Sequence, residues 1–586
     1  MKKFLSFACA LSVFAAVSVK GQAISQIPGP DPFRIDKGSS FSASAKRAVI
    51  IPQPIATTPA AGRILSDVQQ ALDLIRRNHI NGSKLDGAEL TKSSVGGMLA
   101  ELDPHSSYFD ANEFSELLGE QDSEYSGTGS TISNFVKKGA IETYILSTHP
   151  DSSAAKANLQ YGDRIVAVDG VPVSGLASSI VRDKVRGPRG SFVRMTIERA
   201  ATGRIETIGL KRDRVFQPTL PNYFIVRDGV AYIDLTEGFS HTTSVEFASA
   251  LKELRRRGMS SLILDLRGNS GGILDQAVKT AEEFLPSGST IISQRGRSPL
   301  DNRRWRSANQ NPENIPLVVL VDEKTASASE VVAGALQDND RALIVGRTTF
   351  GKGLVQNVLD LPMGSGLTLT TARYYTPSGR SIQRTYAGTG MYAYFNHRSA
   401  GVDAEVRKEA HTVTNRVVYG GNGITPDQVF QSETFDLHQA ALLDPIFFFV
   451  KELVNPVQMS NDHSISSRDE VRQSIIFGRQ PWGLELLPKF IEYTKNYDPN
   501  ISIAAINQYS GFITQRLNYE LALATFGPGA AKHSQILSDA EVAMAIDALP
   551  KAARLAESAR QVRDTEDNKK TRRVAFPTGQ GRNRRN

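Results

Sequence analysis

The sequence predicts a multidomain α/β protein, and three observations carry that reading. The 586 residues exceed what a single hydrophobic core organises. From Tyr223 to about Asp427, buried-type strands alternate with helical segments. The strands are VAYIDL, SLILDLR, TIISQ, LVVLV and ALIVG, and such alternation builds a largely parallel sheet with crossover helices. From Tyr125 to about Arg214, short strands instead follow one another with turn residues between them, as in a separate small β domain.

In chain order, residues 1–23 (MKKFLSFACALSVFAAVSVKGQA) read as a secretory signal peptide with cleavage after Ala23. Its apolar run is too short to span a membrane, so the expected product is exported, soluble, and periplasmic or in the cell envelope. Phe7 and Ala8 fit a lipoprotein signal at Cys9 poorly. Cys9 is the only cysteine, so the mature chain lacks a thiol nucleophile, disulfides and cysteine-bound zinc. Residues 24–62 form a Ser/Pro/Ala-rich linker. An N-terminal helical segment, 63–121, is expected to hold helices at 64–79 and 88–102, the second stopped by Pro104 in LDPHSSYF.

The small β domain spans 122–214, with a helical turn near 176–185. The α/β core spans 215–435, with helices near 244–257, 273–285 and 329–336 and a late meander of LVQNVLDL and LTLTTARYY. A helical region, 436–565, carries apolar stripes read as core or as an oligomer contact. A basic disordered tail, 566–586, ends the chain. The net charge of +7 belongs to the ends: seven Lys or Arg lie from Lys569 onward and three lysines in the signal peptide, leaving the body at −3. A nucleic-acid partner is therefore not expected, and contact with a membrane or anionic surface would fall to the tail.

Chemistry follows by exclusion. None of the nine histidines stands at a core strand end beside a glycine-rich turn, and they read as solvated or structural. No H-E-x-x-H, metal-spaced cluster, P-loop or G-x-G-x-x-G occurs, so neither a metal nor a cofactor is expected. VDEKTASASEVVAGALQD places Ser327 at a helix start, where Ser327-Ala-Ser-Glu330 fits a capping box as well as it fits a nucleophile. TTFGKGLVQ places Lys352 at the entry to an apolar strand, where burial lowers an amine's pKa and lets it act as a base. LDLRGNSGG offers Gly271 and Gly272, whose backbone N–H groups can face an anion.

These segments together resemble one family, the C-terminal processing peptidases or tail-specific proteases, which use a Ser–Lys dyad. The resemblance is carried by LDPHSSYF, YSGTGSTI, YGDRIVAVDG, VRGPRGSFV, LDLRGNSGG, TASASEVVAGALQDNDRA, GRTTFGKGLVQ, TARYYTPSGRSIQ and GITPD, in order over residues 63–430. It implies a crotonase/ClpP-like α/β protease core with an inserted PDZ domain. It makes Ser327 the nucleophile, Ser329 a support and Lys352 the general base. Gln356, four residues on along a strand, faces the same side as Lys352 and orients the amine. The oxyanion donors are the N–H of Ala328 and that of Gly271 or Gly272.

The loop Ser126-Gly127-Thr128-Gly129 matches the PDZ carboxylate-binding loop, so the implied partners are peptides with free, apolar, unstructured C-termini added as a strand. A homo-oligomer is compatible with this organisation. The chain departs from the family pattern at Asn158 and Thr325, where glycine is usual, and at Asn269-Ser-Gly-Gly272, where N-P-G-G is usual. It is also longer than the family norm at 384–422, which with the helical region could cap the cleft or mediate assembly. A non-catalytic relative on this scaffold would need neither Ser327, Lys352 nor Gln356. A crotonase-like acyl-CoA enzyme would need neither a signal peptide nor a PDZ domain.

Overall fold

The computed structural model describes residues 59–137, 139–386, 391–396, 408–431, 435–455, 482–498 and 501–575. The signal peptide, most of the linker and residues 576–586 of the basic tail lie outside them. The core is a six-stranded sheet in the order Asn222–Arg227, Val230–Asp234, Ser261–Asp265, Leu317–Val321, Leu343–Gly346 and Gln428–Val429. The first pair is an antiparallel hairpin and every later pairing is parallel. The three central strands are buried on both faces, which is why they read as unbroken apolar runs.

One face packs on the helices Thr243–Arg256, Leu274–Glu282 and Ala328–Asp338, through residues such as Phe247, Ala277, Val331 and Leu336. The other face, with Tyr232, Ile263, Val318 and Val345, is covered by Val542, Ala545, Leu549 and Ala552 of the helix Ala540–Ala575. That helix runs ten residues beyond the expected end of the helical region, into the stretch read as disordered tail.

TIISQ is not a core strand. Thr290–Gly296 belongs to a second sheet, paired antiparallel with Arg303–Arg306 and with Gly366–Tyr375. Periodicity reports that such a strand is half-buried, not which neighbour it finds. The same sheet holds the expected hairpin of Leu354–Asp360 with Gly366–Tyr375, and it recruits Ser107–Phe109 from the LDPHSSYF segment. The N-terminal helices are Pro59–Asn78 and Gly87–Ala100, and a third, Ala111–Gln121, was not anticipated. Its start was written in the sequence, since Asp110 and Glu113 close a capping box.

The small β domain is a sheet in the order Ser130–Lys137, Ala140–Thr148, Arg164–Val168, Phe192–Glu198, Ile205–Lys211. A separate ribbon of Glu124–Gly127 with Asp213–Phe216 draws its entry and exit together. Asn158 adopts φ 52°, the left-handed conformation that asparagine tolerates best after glycine.

The helices Leu437–Val454, Trp482–Tyr497 and Ser510–Phe526 pack together in one apolar cluster. They cover the small sheet: Phe447 stacks on Phe135 at 3.6 Å between centroids, and Tyr161 donates a 2.8 Å hydrogen bond to buried Glu520. Their apolar stripes are core, as one of the two sequence readings had it.

Candidate active site

Three neighbouring parallel strands, Ser261–Asp265, Leu317–Val321 and Leu343–Gly346, end on the same edge, so the turns that follow them are neighbours too. These turns carry Gly271 and Gly272, Ser327, and Lys352. Residues 34 to 60 apart in sequence are joined here by hydrogen bonds. Asn269 donates to the Leu235 carbonyl at 2.7 Å and accepts from Ser329 Oγ at 2.6 Å. Its carbonyl accepts the Ala326 N–H at 2.9 Å. Thr325, fully buried, donates from Oγ1 to the Leu266 carbonyl at 2.8 Å, so the hydroxyl that replaces the usual glycine ties the serine turn to the glycine-rich one.

Ser327 is half-buried and stands at φ 56°, ψ −117°. Positive φ in a non-glycine residue costs roughly 1–3 kcal/mol and persists where the surroundings enforce it. Gly271 is part of that enforcement, since a Cβ there would lie 2.8 Å from Ser327 Cβ. The cap is lopsided. Ser327 N–H donates to Glu330 Oε2 at 2.8 Å, while Ser327 Oγ approaches the helix amides without closing a full hydrogen bond. The capping box that the sequence offers is present, and in it Ser327 Oγ only accepts, which leaves the hydroxyl proton uncommitted. The N–H of Gly271 is spent, on Asn269 Oδ1 at 2.9 Å. The N–H groups of Gly272 and Ala328 make no hydrogen bond among the described residues.

Glu330 is the centre that sequence reading missed, having appeared only as a cap partner. It is fully buried and accepts from Ser327 N–H, the Thr349 hydroxyl, and the N–H groups of Gly351 and Lys352, the last two at 2.8 Å. One carboxylate thus holds the serine turn and the lysine turn together. Burial pushes its pKa up against those four donors, which pull the other way.

Lys352 Nζ donates to Gln356 Oε1 at 2.7 Å. Lys352 precedes the strand Leu354–Asp360, and a bulge between Val355 and Gln356 accommodates the four-residue reach. Burial drives the Lys352 pKa down to about 8, with Asp103 and Glu330 opposing it. No hydrogen bond joins Lys352 Nζ to Ser327 Oγ. Gln356 Nε2 donates to the backbone carbonyl of His105.

His105 comes from LDPHSSYF, whose turn is closed by Asp103 accepting the His105 and Ser106 N–H groups at 2.8 and 2.9 Å. Ser106 Oγ then accepts the Thr370 N–H and docks the turn on the strand beside Gln356. Burial, then the nearby Lys352 charge, push the His105 imidazole down to about 3, so it stays neutral. Its motif was visible in the sequence; its place against the lysine was not. Of the other histidines, His438 is exposed, His533 packs its ring edge on Phe224, and His463 lies outside the described residues.

In the small β domain, Ser130–Lys137 is an edge strand lying beside the helix Ser178–Val185. A cavity of about 180 Å³ there is lined by Gly127, Thr128, Gly129, His149, Arg182 and Arg186, among others. Ser126 does not line it. Its hydroxyl donates to the Gly187 carbonyl at 2.8 Å and braces the loop. Gly129 stands at φ 77°, and a Cβ there would fall 2.3 Å from Ser152 Cβ.

Comparison with known proteins matches residues 229–389 to peptidase family S41 and residues 144–199 to the PDZ domain. The chain is similar to a carboxy-terminal-processing protease of Bartonella bacilliformis, 37% identical over 306 residues, which are 51% of this chain and 68% of the relative. It is also similar to a carboxyl-terminal-processing protease of a Picosynechococcus species, 33% identical over 50% of this chain and 70% of the relative. Among solved structures, a photosystem II D1 C-terminal processing protease aligns at 32% identity with a TM-score of 0.32, over 51% of this chain and 80% of the other.

Proposed function

This chain belongs to the carboxy-terminal processing proteases of peptidase family S41 and carries a PDZ domain, and from that premise we propose an exported serine endopeptidase that cleaves unstructured polypeptides near free, apolar C-termini. Ser327 attacks the scissile carbonyl, Lys352 takes its proton, and Gln356 holds the amine. The N–H groups of Ala328 and Gly272 receive the oxyanion, since that of Gly271 is committed to Asn269. Gly271 serves instead to let the serine turn approach. The core is of crotonase/ClpP type, spanning 215–435, with the PDZ domain inserted at 122–214.

The observation that carries this reading is the amine of Lys352. It is buried enough to stand near pH 8 and gripped by Gln356, while the backbone N–H of Lys352 hangs from the same carboxylate as the Ser327 turn. A lysine at its ordinary pKa is almost wholly protonated at neutral pH and cannot accept a serine proton. The missing amine–hydroxyl bond is of the kind that tightens only when substrate is bound. The substrate tail would add as a strand beside Ser130–Lys137, with its carboxylate at the backbone N–H groups of residues 127–129 and the cationic Arg182 and Arg186 nearby.

Two outcomes test this. Activity should be low at pH 6 and rise through about pH 8 as Lys352 loses its proton, because only the neutral amine is a base; a profile flat from pH 6 to 9 contradicts the assignment. An unfolded substrate with an amidated C-terminus should be cleaved roughly tenfold or more slowly than the free acid, since charged hydrogen bonds of about 1.5–3 kcal/mol are lost. Equal rates for the two would remove the PDZ reading and leave the dyad untouched.

A further inference from the structure

The long segment 384–422 contributes a short helix, Met391–Phe395, to the lysine side of the site. Its Tyr394 is 1% exposed, ringed edge-on by His105, Phe350 and Phe395 and covered by the Arg384 guanidinium. The phenol oxygen lies 2.8 Å from His105 Nε2, and Gln383 Nε2 donates to it at 3.3 Å. The phenol and the imidazole share one hydrogen bond, with the phenol donating when Nε2 is the acceptor nitrogen of the neutral ring. The same Gln383 accepts the N–H of Gly353, next to the lysine.

We propose that Tyr394 is a positioning residue for the base, acting through His105 on the amide of Gln356; the proposal rests on Lys352 being that base. A glutamine amide turns over readily about its last torsion, and its two ends differ only in what they bond. The His105 carbonyl accepts the Gln356 N–H and so sends Oε1 to Lys352 Nζ. In that orientation the amide accepts a proton of the amine and leaves the nitrogen lone pair for Ser327. Turned over, it would donate to the lone pair and consume it. Asp103 holds the His105 backbone turn, and the phenol adds a second hold, on the ring, that fixes the direction in which the carbonyl meets Gln356. The charged groups that face Lys352 are Asp103 and Glu330, with His105 and Arg384 facing each other beside it.

The test is the pH dependence of kcat and KM for Tyr394→Phe, Gln356→Ala and the double variant on an unfolded peptide, with Tm as a control. Tyr394→Phe keeps the ring and removes the phenol's hydrogen bonds with His105, Gln383 and Arg384. The plateau kcat should fall roughly five- to tenfold, the worth of one buried hydrogen bond, with KM nearly unchanged. The midpoint of the acid limb should move below about 8, because Gln356 Oε1 stabilises the ammonium form and its loss favours the free amine. The double variant should be no slower than Gln356→Ala, since both act on one link.

An unchanged plateau and midpoint would overturn the proposal. So would a midpoint moving up toward the ordinary 10.5, which would mean that the ring only keeps water out, or multiplicative losses in the double variant. Cleavage by Lys352→Ala removes the base reading itself and this proposal with it, a result distinguishable because it appears before Tyr394 is changed.

Discussion

With Ser327 as the proposed nucleophile, Ser327→Ala is expected to abolish peptide cleavage, with a loss of roughly 10⁴-fold or more in kcat, while Tm and the circular dichroism spectrum stay within error of the parent. The fold is spared because alanine keeps the N–H that Glu330 holds, the stronger half of the capping box. Lys352→Ala should have an effect of the same order, since the proposed nucleophile and base would act as one unit and their losses would not multiply. Lys352→Arg does not restore activity, because a guanidinium keeps its proton throughout the working range. The measurement is single-turnover cleavage of an unfolded peptide at pH 9, where the parent amine is free. A Ser327→Ala protein that still cleaves there would mean that another hydroxyl attacks.

Glu330→Gln is the substitution expected to cost most outside the dyad. Four donors converge on two carboxylate oxygens, from Ser327, Thr349, Gly351 and Lys352. An amide of the same shape offers one oxygen and turns an NH₂ group against the remaining donors. Two donors are left unsatisfied at a fully buried site, which costs about 3 kcal/mol or more. The expected result is a lowered Tm together with a loss of about 10²-fold in kcat/KM, because the two turns lose the tie that sets their distance. Glu330→Asp keeps the charge and shortens the reach by one methylene, so it should recover stability more than rate. A Glu330→Gln protein with parental Tm and rate would show that the turns hold their places without it.

How much of this could be read in advance follows from where each signal resides. Ser327, Lys352 and the glycine pair stand in local patterns: strand, turn, helix, with an amine entering an apolar run. Glu330 was legible only as the fourth letter of a capping box, because three of its four donors come from a turn about twenty residues later. TIISQ was placed in the wrong sheet since an apolar strand carries no label for its partner. The helical region was seen as helices, but its burial against the small β sheet depends on aromatic faces, such as Phe135 and Phe447, that are separated by most of the chain.

The sequence by itself determined what is local: the alternation that builds the parallel core, the short strands of the small domain, the helix starts, and the residue types able to attack, accept a proton or face an anion. Tertiary structure alone decided which of them meet. Gln356 is oriented by a carbonyl 251 residues away, and Gly272 rather than Gly271 keeps a free donor because Asn269 claims the other. Periodicity is a property of neighbours along the chain. The desolvation and the carboxylate charges that set an amine near pH 8 belong to neighbours in space, and those exist only once the strands have found their order.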